Sequence, residues 1–460
     1  MKLPDGPKSP PIMQVIQWMF NPLDYLEEAV NRYGEIFTGR IGLNGAPIVL
    51  VSNPQAIQQI FQGEFKEFGF AIEQKKFLEP LVGKYSVVIL DGQTHRQHRQ
   101  LLMPPFHGKR MQTYGQLICE ITAKIMNQLP LVQPFVTRQV MKKISLEVML
   151  QAVFGLQTGE SGEYLKKLLI SWLDFLGSPI RASFLYFTFL QKDLGAWSPW
   201  SYFCRLKQDI KQVLYREINY RRQNYDPERS DILTLLLSAR DENNQGLTDE
   251  ELHDEVLGLL IAGHEITAAA MTWGLYWIHH QPHVGEKLLA ELHTLGDFQD
   301  PVSISQLPYL TAVCQETLRI YPTAIAASAR VVNSPINLNG YKLEPGTMVM
   351  PCTYLVHHRQ DLYPNSHQFL PERFLERQFS PYEYLPFGGG NRRCIGAALS
   401  MFEMKLVIAT ITSKYQLNLI NKQPIKPQYQ GFLLAPTGGV KMRIISQRQP
   451  LKPLAIAIPN

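Results

Sequence analysis

The sequence predicts one large, mainly α-helical domain carrying small β-sheets, spanning residues 1–460. Three observations lead there. Apolar residues recur at helical spacing along most of the chain. One such run, Thr248 to Gln281, opens on a capping box (Thr248 with Glu251) and stops at Pro282. At ~1.5 Å per residue that helix is ~50 Å long, enough to cross a whole domain. Finally, no repeat or low-complexity linker divides the body between the Pro-rich ends, 1–11 and 424–460.

In chain order, the segment 34–54 places "GEIFTGRIG" and "APIVLVSNP" around a turn and reads as a β-hairpin. "HRQHR" (95–99) sets His95 and Arg99 one helical turn apart, a pattern that usually marks a solvated basic face. Between 184 and 203 lie Phe184, Tyr186, Phe187, Phe189, Trp197, Trp200, Tyr202 and Phe203. That cluster reads either as core or, because Gly195 and Pro199 interrupt it, as a mobile apolar lid. In the stretch 335–351, Asn339-Gly340 and Pro345-Gly346 separate short apolar runs and predict further hairpins. The third β-rich portion is 431–446, where "GVKMRIIS" reads as a terminal strand.

Composition narrows the function. Hydrophobic residues make up 45% and charged residues 18%, as in a soluble globular protein with a sizeable core. A net charge of +5 without clustered Lys and Arg does not suit nucleic-acid binding. Five scattered cysteines (119, 204, 314, 352, 394) with no C-x-x-C argue against a disulfide framework or zinc site and for a reducing compartment. The apolar run "IMQVIQWMF" (12–20) is far below the ~20 residues of a membrane span. A cytoplasmic location is expected, with peripheral contact at membranes left open.

The chemistry concentrates in "PFGGGNRRCIG" (386–396). Consecutive glycines let the backbone approach a flat ligand closely. Cys394 precedes an apolar helical pattern, where the macrodipole and free N–H groups favour a thiolate, either nucleophile or metal ligand. A buried free cysteine is the plainer alternative. No G-K-[ST] follows the glycines, so this is not a phosphate loop. "HE" at 264–265 brings a zinc peptidase to mind, but Ala268 stands where H-E-x-x-H needs its second histidine.

This segment resembles the cysteine loop of the cytochrome P-450 superfamily, F-x-x-G-x-R-x-C-x-G, with Phe387, Gly390, Arg392, Cys394 and Gly396 in the fixed places. "ETLR" (Glu316, Arg319) and "PERF" (Arg373) follow the family's order, and "AGHEIT" resembles its oxygen-binding helix. The resemblance spans nearly the whole chain and is to soluble bacterial members, with a cyanobacterial flavour. It implies a haem-thiolate fold and haem b held by Cys394, the metal ligand. Phe387, Gly388, Gly396 and Ala262 would pack against that group. Arg392, Arg99, His95 and Arg330 would bind the propionates, by charge-assisted hydrogen bonds in the case of the arginines. Glu316, Arg319 and Arg373 would form a buried structural network.

The implied reaction inserts one atom of O2 into a lipophilic substrate such as a fatty acid, terpenoid or steroid-like molecule. Electrons would come from a separate ferredoxin or flavodoxin with its reductase, docked near Arg393 and Lys405, and the enzyme would be a monomer. Substrate would touch Val87, Val88, Leu90, Leu259, Ala262 and Ile266, Ala324, Ile325, Ala326 and Ala327, and Leu433 with Leu434. On the long helix Leu259, Ala262, Gly263, Ile266 and Ala270 share a face, so Gly263 is expected to leave room for oxygen. The family usually has threonine directly after the acid; here Ile266 stands there, with Thr267 next. Glu265, with Thr267, water or a substrate hydroxyl, is then expected to deliver protons. A peroxide-using enzyme or an isomerase of oxidised lipids is the alternative that Ile266 raises. A haem sensor fits less well, for no signalling domain is evident.

Overall fold

The computed structural model describes residues 3–449, apart from 107–109, 156–159, 179–180, 186–189, 194, 196–197, 297–299, 422 and 431–432. Its axis is the helix Asp249–His280. Thr248 Oγ1 accepts from Glu251 N at 3.2 Å while Glu251 Oε2 accepts from Thr248 N at 2.8 Å, closing the capping box. Gln281 caps the far end and Pro282 begins the next helix. The long helix is apolar enough to cross a bilayer, yet 67% of its most apolar window is buried inside the molecule. It packs most extensively on Thr137–Phe154 and also on Ala397–Lys414, the helix after Cys394. Trp172, Trp273, Leu260 and Ile408 are among the fully buried side chains of this core.

The main sheet has five strands in the order Ile36–Gly39, Ile48–Val51, Met348–Pro351, Arg330–Val332 and Phe68–Phe70. The first two form the expected hairpin, Ile36 opposite Val51 and Gly39 opposite Ile48. Asn339-Gly340 also makes its hairpin, joining Ile336–Leu338 to Tyr341–Leu343. Both turn residues have positive φ, 47° and 89°, the conformation Asn-Gly tolerates best. Pro345-Gly346 does not make a second hairpin. The strand after it leaves its neighbour and joins the main sheet, antiparallel to Arg330–Val332 and parallel to Ile48–Val51. Partners 300 residues apart therefore override the local turn signal. The last strand, Lys441–Gln447, lies between Pro134–Val136 and Tyr415–Leu419.

Of the described members of the aromatic cluster, Phe184 and Phe203 are core, Trp200 is half-buried and Tyr202 is exposed. Phe184 and Phe203 are buried with ring centroids 5.1 Å apart, and Trp200 stacks on Phe203. Tyr186, Phe187, Phe189 and Trp197 lie outside the described residues.

Candidate active site

The glycine loop is shaped by backbone need. Gly388 and Gly390 sit at φ 65°, which side chains rarely adopt. A Cβ on Gly389 would stand 2.3 Å from the Phe61 ring, so only glycine lets the loop lie against it. The turn brings Cys394 N to donate to Phe387 O at 3.0 Å. Two residues later Gly396 caps the helix Ala397–Lys414.

Cys394 opens onto a cavity of about 230 Å³. Ala262, Ile266, Thr267 and Ala270 supply one wall, Thr323, Ala324, Ala326 and Ala327 another, and Phe387 and Gly388 the loop side. Surrounding protein raises the thiol's pKa; the Gly396 N–H, Arg99 and Arg393 oppose that rise. The helix terminus alone thus does not hold a thiolate here. Coordination to a metal cation would deprotonate the thiol outright.

The basic candidates gather at this cavity. Arg330 donates to Glu64 Oε1 at 2.7 Å and to Ser328 O at 2.6 Å. Arg392 donates to Asp91 Oδ1 at 2.8 Å and Leu90 O at 2.5 Å, its guanidinium lying 4.2 Å from the Phe70 ring centroid. Arg99 lies in the field of Cys394 and Glu64, with no side-chain hydrogen bond or ion pair among the described residues, and His95 is buried with Nδ1 unpaired. Burial, then the nearby Arg392 and Arg99, pushes His95 down to about 4, so it is neutral at pH 7. Glu64 and Asp91 carried no sequence signal, because they act only where strands far apart in the chain meet.

Behind the loop, Arg319 chelates Glu316 (Nε to Oε2, 2.7 Å; Nη2 to Oε1, 2.9 Å) and donates to His357 O and Gln368 O. Arg373 Nε reaches Glu316 Oε1 at 3.1 Å, and Leu370 N donates there too. Glu316 and Arg319 are completely shielded from solvent.

On the long helix the structure corrects several expectations. Gly263 does not line the cavity. A Cβ there would meet Met149 Sδ and Cε at 2.8 Å, so the glycine lets another helix pack close. Glu265 also turns away, pairing with Lys142 Nζ at 2.6 Å and Arg138 Nη2 at 3.1 Å. His264 is buried, and its Nε2 contacts Lys142 O at 2.9 Å. Ile266 does face the cavity, 38% exposed, and Thr267 sits beside it with Oγ1 3.4 Å from Ser400 Oγ. Ser400 was missed, although it lies six residues after Cys394 on the following helix.

Of the expected substrate contacts, Ala324, Ala326 and Ala327 line the cavity with Ala262 and Ile266. Leu434 and Ile325 are buried instead in the core around Trp18 and Tyr25, where Ile325 lines a neighbouring cleft. Leu433 packs on Ala269 and Ala435. Leu259 packs against the main core, and neither it nor Val87, Val88 and Leu90 is among the cavity's lining residues. Val87 N donates to buried Glu255 and the Leu90 carbonyl serves Arg392, so this segment braces the site.

A cysteine at the back of an apolar cavity, cations at its rim, an orphaned His95 Nδ1 and glycines that leave the loop side bare suit one occupant. That occupant is a flat, apolar, dianionic macrocycle whose metal takes a thiolate. Fold and site together define a haem-thiolate protein. The family model for Cytochrome P450 matches residues 4–442, and the chain belongs to that family. It is 32% identical over 451 residues to cytochrome P450 135B1 of Mycobacterium tuberculosis, covering 97% of this chain and 92% of that one. Cytochrome P450 138 of the same organism is 30% identical, with 98% and 97% covered. Among solved structures, the retinoic acid bound cyanobacterial CYP120A1 superposes with a TM-score of 0.82 at 22% identity, covering 94% of this chain and 96% of that one. Family membership makes the protein a monooxygenase with haem b on a cysteine thiolate and O2 as co-substrate.

Proposed function

We propose that the enzyme hydroxylates a lipophilic small molecule, with electrons from a separate ferredoxin or flavodoxin. The observation that carries this reading is the wall facing Cys394: Ala262, Ile266, Ala270, Ala324, Ala326 and Ala327 offer no charge to a substrate. When bound, the haem supplies dioxygen binding and O–O cleavage, which an axial thiolate promotes. Cys394 would hold it, with Arg99, Arg330, Arg392 and His95 at its edge. The chain's own part is to exclude water and orient substrate. A second cleft, lined by Trp18, Leu43, Phe77, Met350 and Tyr429, shares Ala324, Ala326, Ala327 and Ser328 with the first. That shared wall supports an apolar route for substrate.

Arg393 is exposed beside the loop and suits an acidic donor. Lys405 does not, since its ammonium donates to Ser305 O at 2.7 Å and is largely enclosed. With Glu265 held by Arg138 and Lys142, the Thr267 hydroxyl, ordered water or a substrate hydroxyl would move protons at the wall. The same turning away of Glu265, next to an apolar Ile266, favours as second reading a peroxide-using enzyme or an isomerase of oxidised lipids. Turnover of a panel of fatty acids and sesquiterpenes decides. Product formed with ferredoxin, reductase and O2, but not with peroxide alone, supports hydroxylation; the reverse supports the second reading.

A further inference from the structure

A second cavity, of about 580 Å³, lies on the other flank of the long helix, where His264 and not Ala262 or Ile266 forms the wall. Part of it is apolar: Val136, Leu146, Ile170 and Leu173, with Ile170 still 42% exposed. The rest is polar, with Arg138, Lys142, Lys143 and Lys166 beside Asp174, Gln139 and Gln430.

Among the described residues, local acids pair with three of these cations and leave Lys143 without one. Glu265 takes Arg138 and Lys142, Asp174 takes Lys142 at 3.0 Å, and Glu147 takes Lys166 at 2.6 Å. Glu163 also stands 3.8 Å from Lys166, so four cations meet four acids, yet among the described residues Lys143 reaches only the neutral amide of Gln128, at 3.0 Å. Two buried nitrogens of this wall have no partner among the described residues, Arg138 Nε and His264 Nδ1. His264 is 2% exposed and burial lowers its pKa; with its Nε2–H donating to Lys142 O, its Nδ1 is an unpaired acceptor. The unpaired guanidinium N–H of Arg138 and the Lys143 ammonium next to an apolar wall are the two halves of a site for an amphiphile with an anionic head.

We propose that this cavity binds an amphipathic carboxylate of the fatty-acid type, its head on Lys143 and Arg138 and its chain on Ile170, Leu173 and Val136. The head competes with Glu265 for Arg138 and Lys142. Because Glu265 adjoins Ile266, a ligand here is felt at the wall of the thiolate cavity without entering it, which makes this an effector site. The inference is independent of which substrate the enzyme oxidises.

The test is calorimetric titration of sodium dodecanoate into the haem-loaded full chain, with the thiolate cavity filled by a tight-binding azole whose haem absorbance band is followed throughout. Dodecanoate is expected to bind at one equivalent, and dodecanol about tenfold more weakly or worse. Lys143→Gln should weaken dodecanoate about tenfold. Glu265→Gln, by freeing Arg138 and Lys142, should tighten it; Ile266→Ala should leave it unchanged. Near-ultraviolet circular dichroism checks that each variant is folded. Equal affinity for dodecanol, no binding once the azole is seated, or a Lys143→Gln affinity within about twofold of native would each overturn the proposal.

Discussion

Two groups of buried arginines differ in whether they close on themselves. In the group behind the loop, Arg319 is chelated by Glu316 and spends its remaining donors on His357 O and Gln368 O, while Arg373 at its edge keeps Nη2 bare. In the group at the cavity, Arg330 and Arg392 find acids, but Arg99 has none among the described residues and His95 keeps a bare nitrogen. The closed group holds the fold. The open one has binding capacity left for an anion, and its members surround the cysteine.

Removing the open group's centre should have the largest effect. Cys394→Ala is expected to abolish the thiolate signature in the reduced CO spectrum, and a variant that kept it would overturn the ligand assignment. Next, Glu316→Ala should cost ~3–5 kcal/mol of stability in urea unfolding, because Arg319 is left charged and shielded from water. A loss below ~1 kcal/mol would mean that the network is not closed. Arg99→Leu should do the converse. The unfolding free energy of the haem-free chain should shift by less than ~1 kcal/mol, while haem transfer to an acceptor protein speeds up about tenfold.

Glu403 tests what happens with no arginine at all. It is 1% exposed, burial raises its pKa to about 8, and the Ser145 hydroxyl opposes that only weakly. The folded chain then keeps this proton while the unfolded chain loses it near the ordinary glutamate value. Stability should fall as pH rises from ~4.5 to about 8, at roughly 1.4 kcal/mol per unit at most. Glu403→Gln should remove that slope, seen as a larger relative gain at pH 8 than at pH 5. The smallest effect is expected of Ile266→Thr: little change in stability, but more product per NAD(P)H consumed. No gain in coupling would argue against a proton-delivery defect at this wall.

Much of the site was legible because it is local. The cysteine loop, the Glu316–Arg319 pair and the capping box each lie within a few residues, so spacing alone brings their atoms together. Gly263 shows where this stops. A helical wheel fixes the angle of a residue but not its neighbour, and Met149, over a hundred positions away, fills the space. Glu265 is the same case, for Arg138 and Lys142 arrive on another helix. So is Pro345-Gly346, whose outgoing strand found better partners in the main sheet.

The sequence by itself determined the helical class, the long helix and the family, and singled out Cys394 as the candidate ligand, since all rest on short-range pattern. Only the tertiary structure decided which face of the long helix meets the cavity and which arginines are already paired. It also decided that Glu265 is held by cations and not by the cavity. Burial and charge pairing depend on contacts between distant segments, and those exist only once the chain has closed on itself.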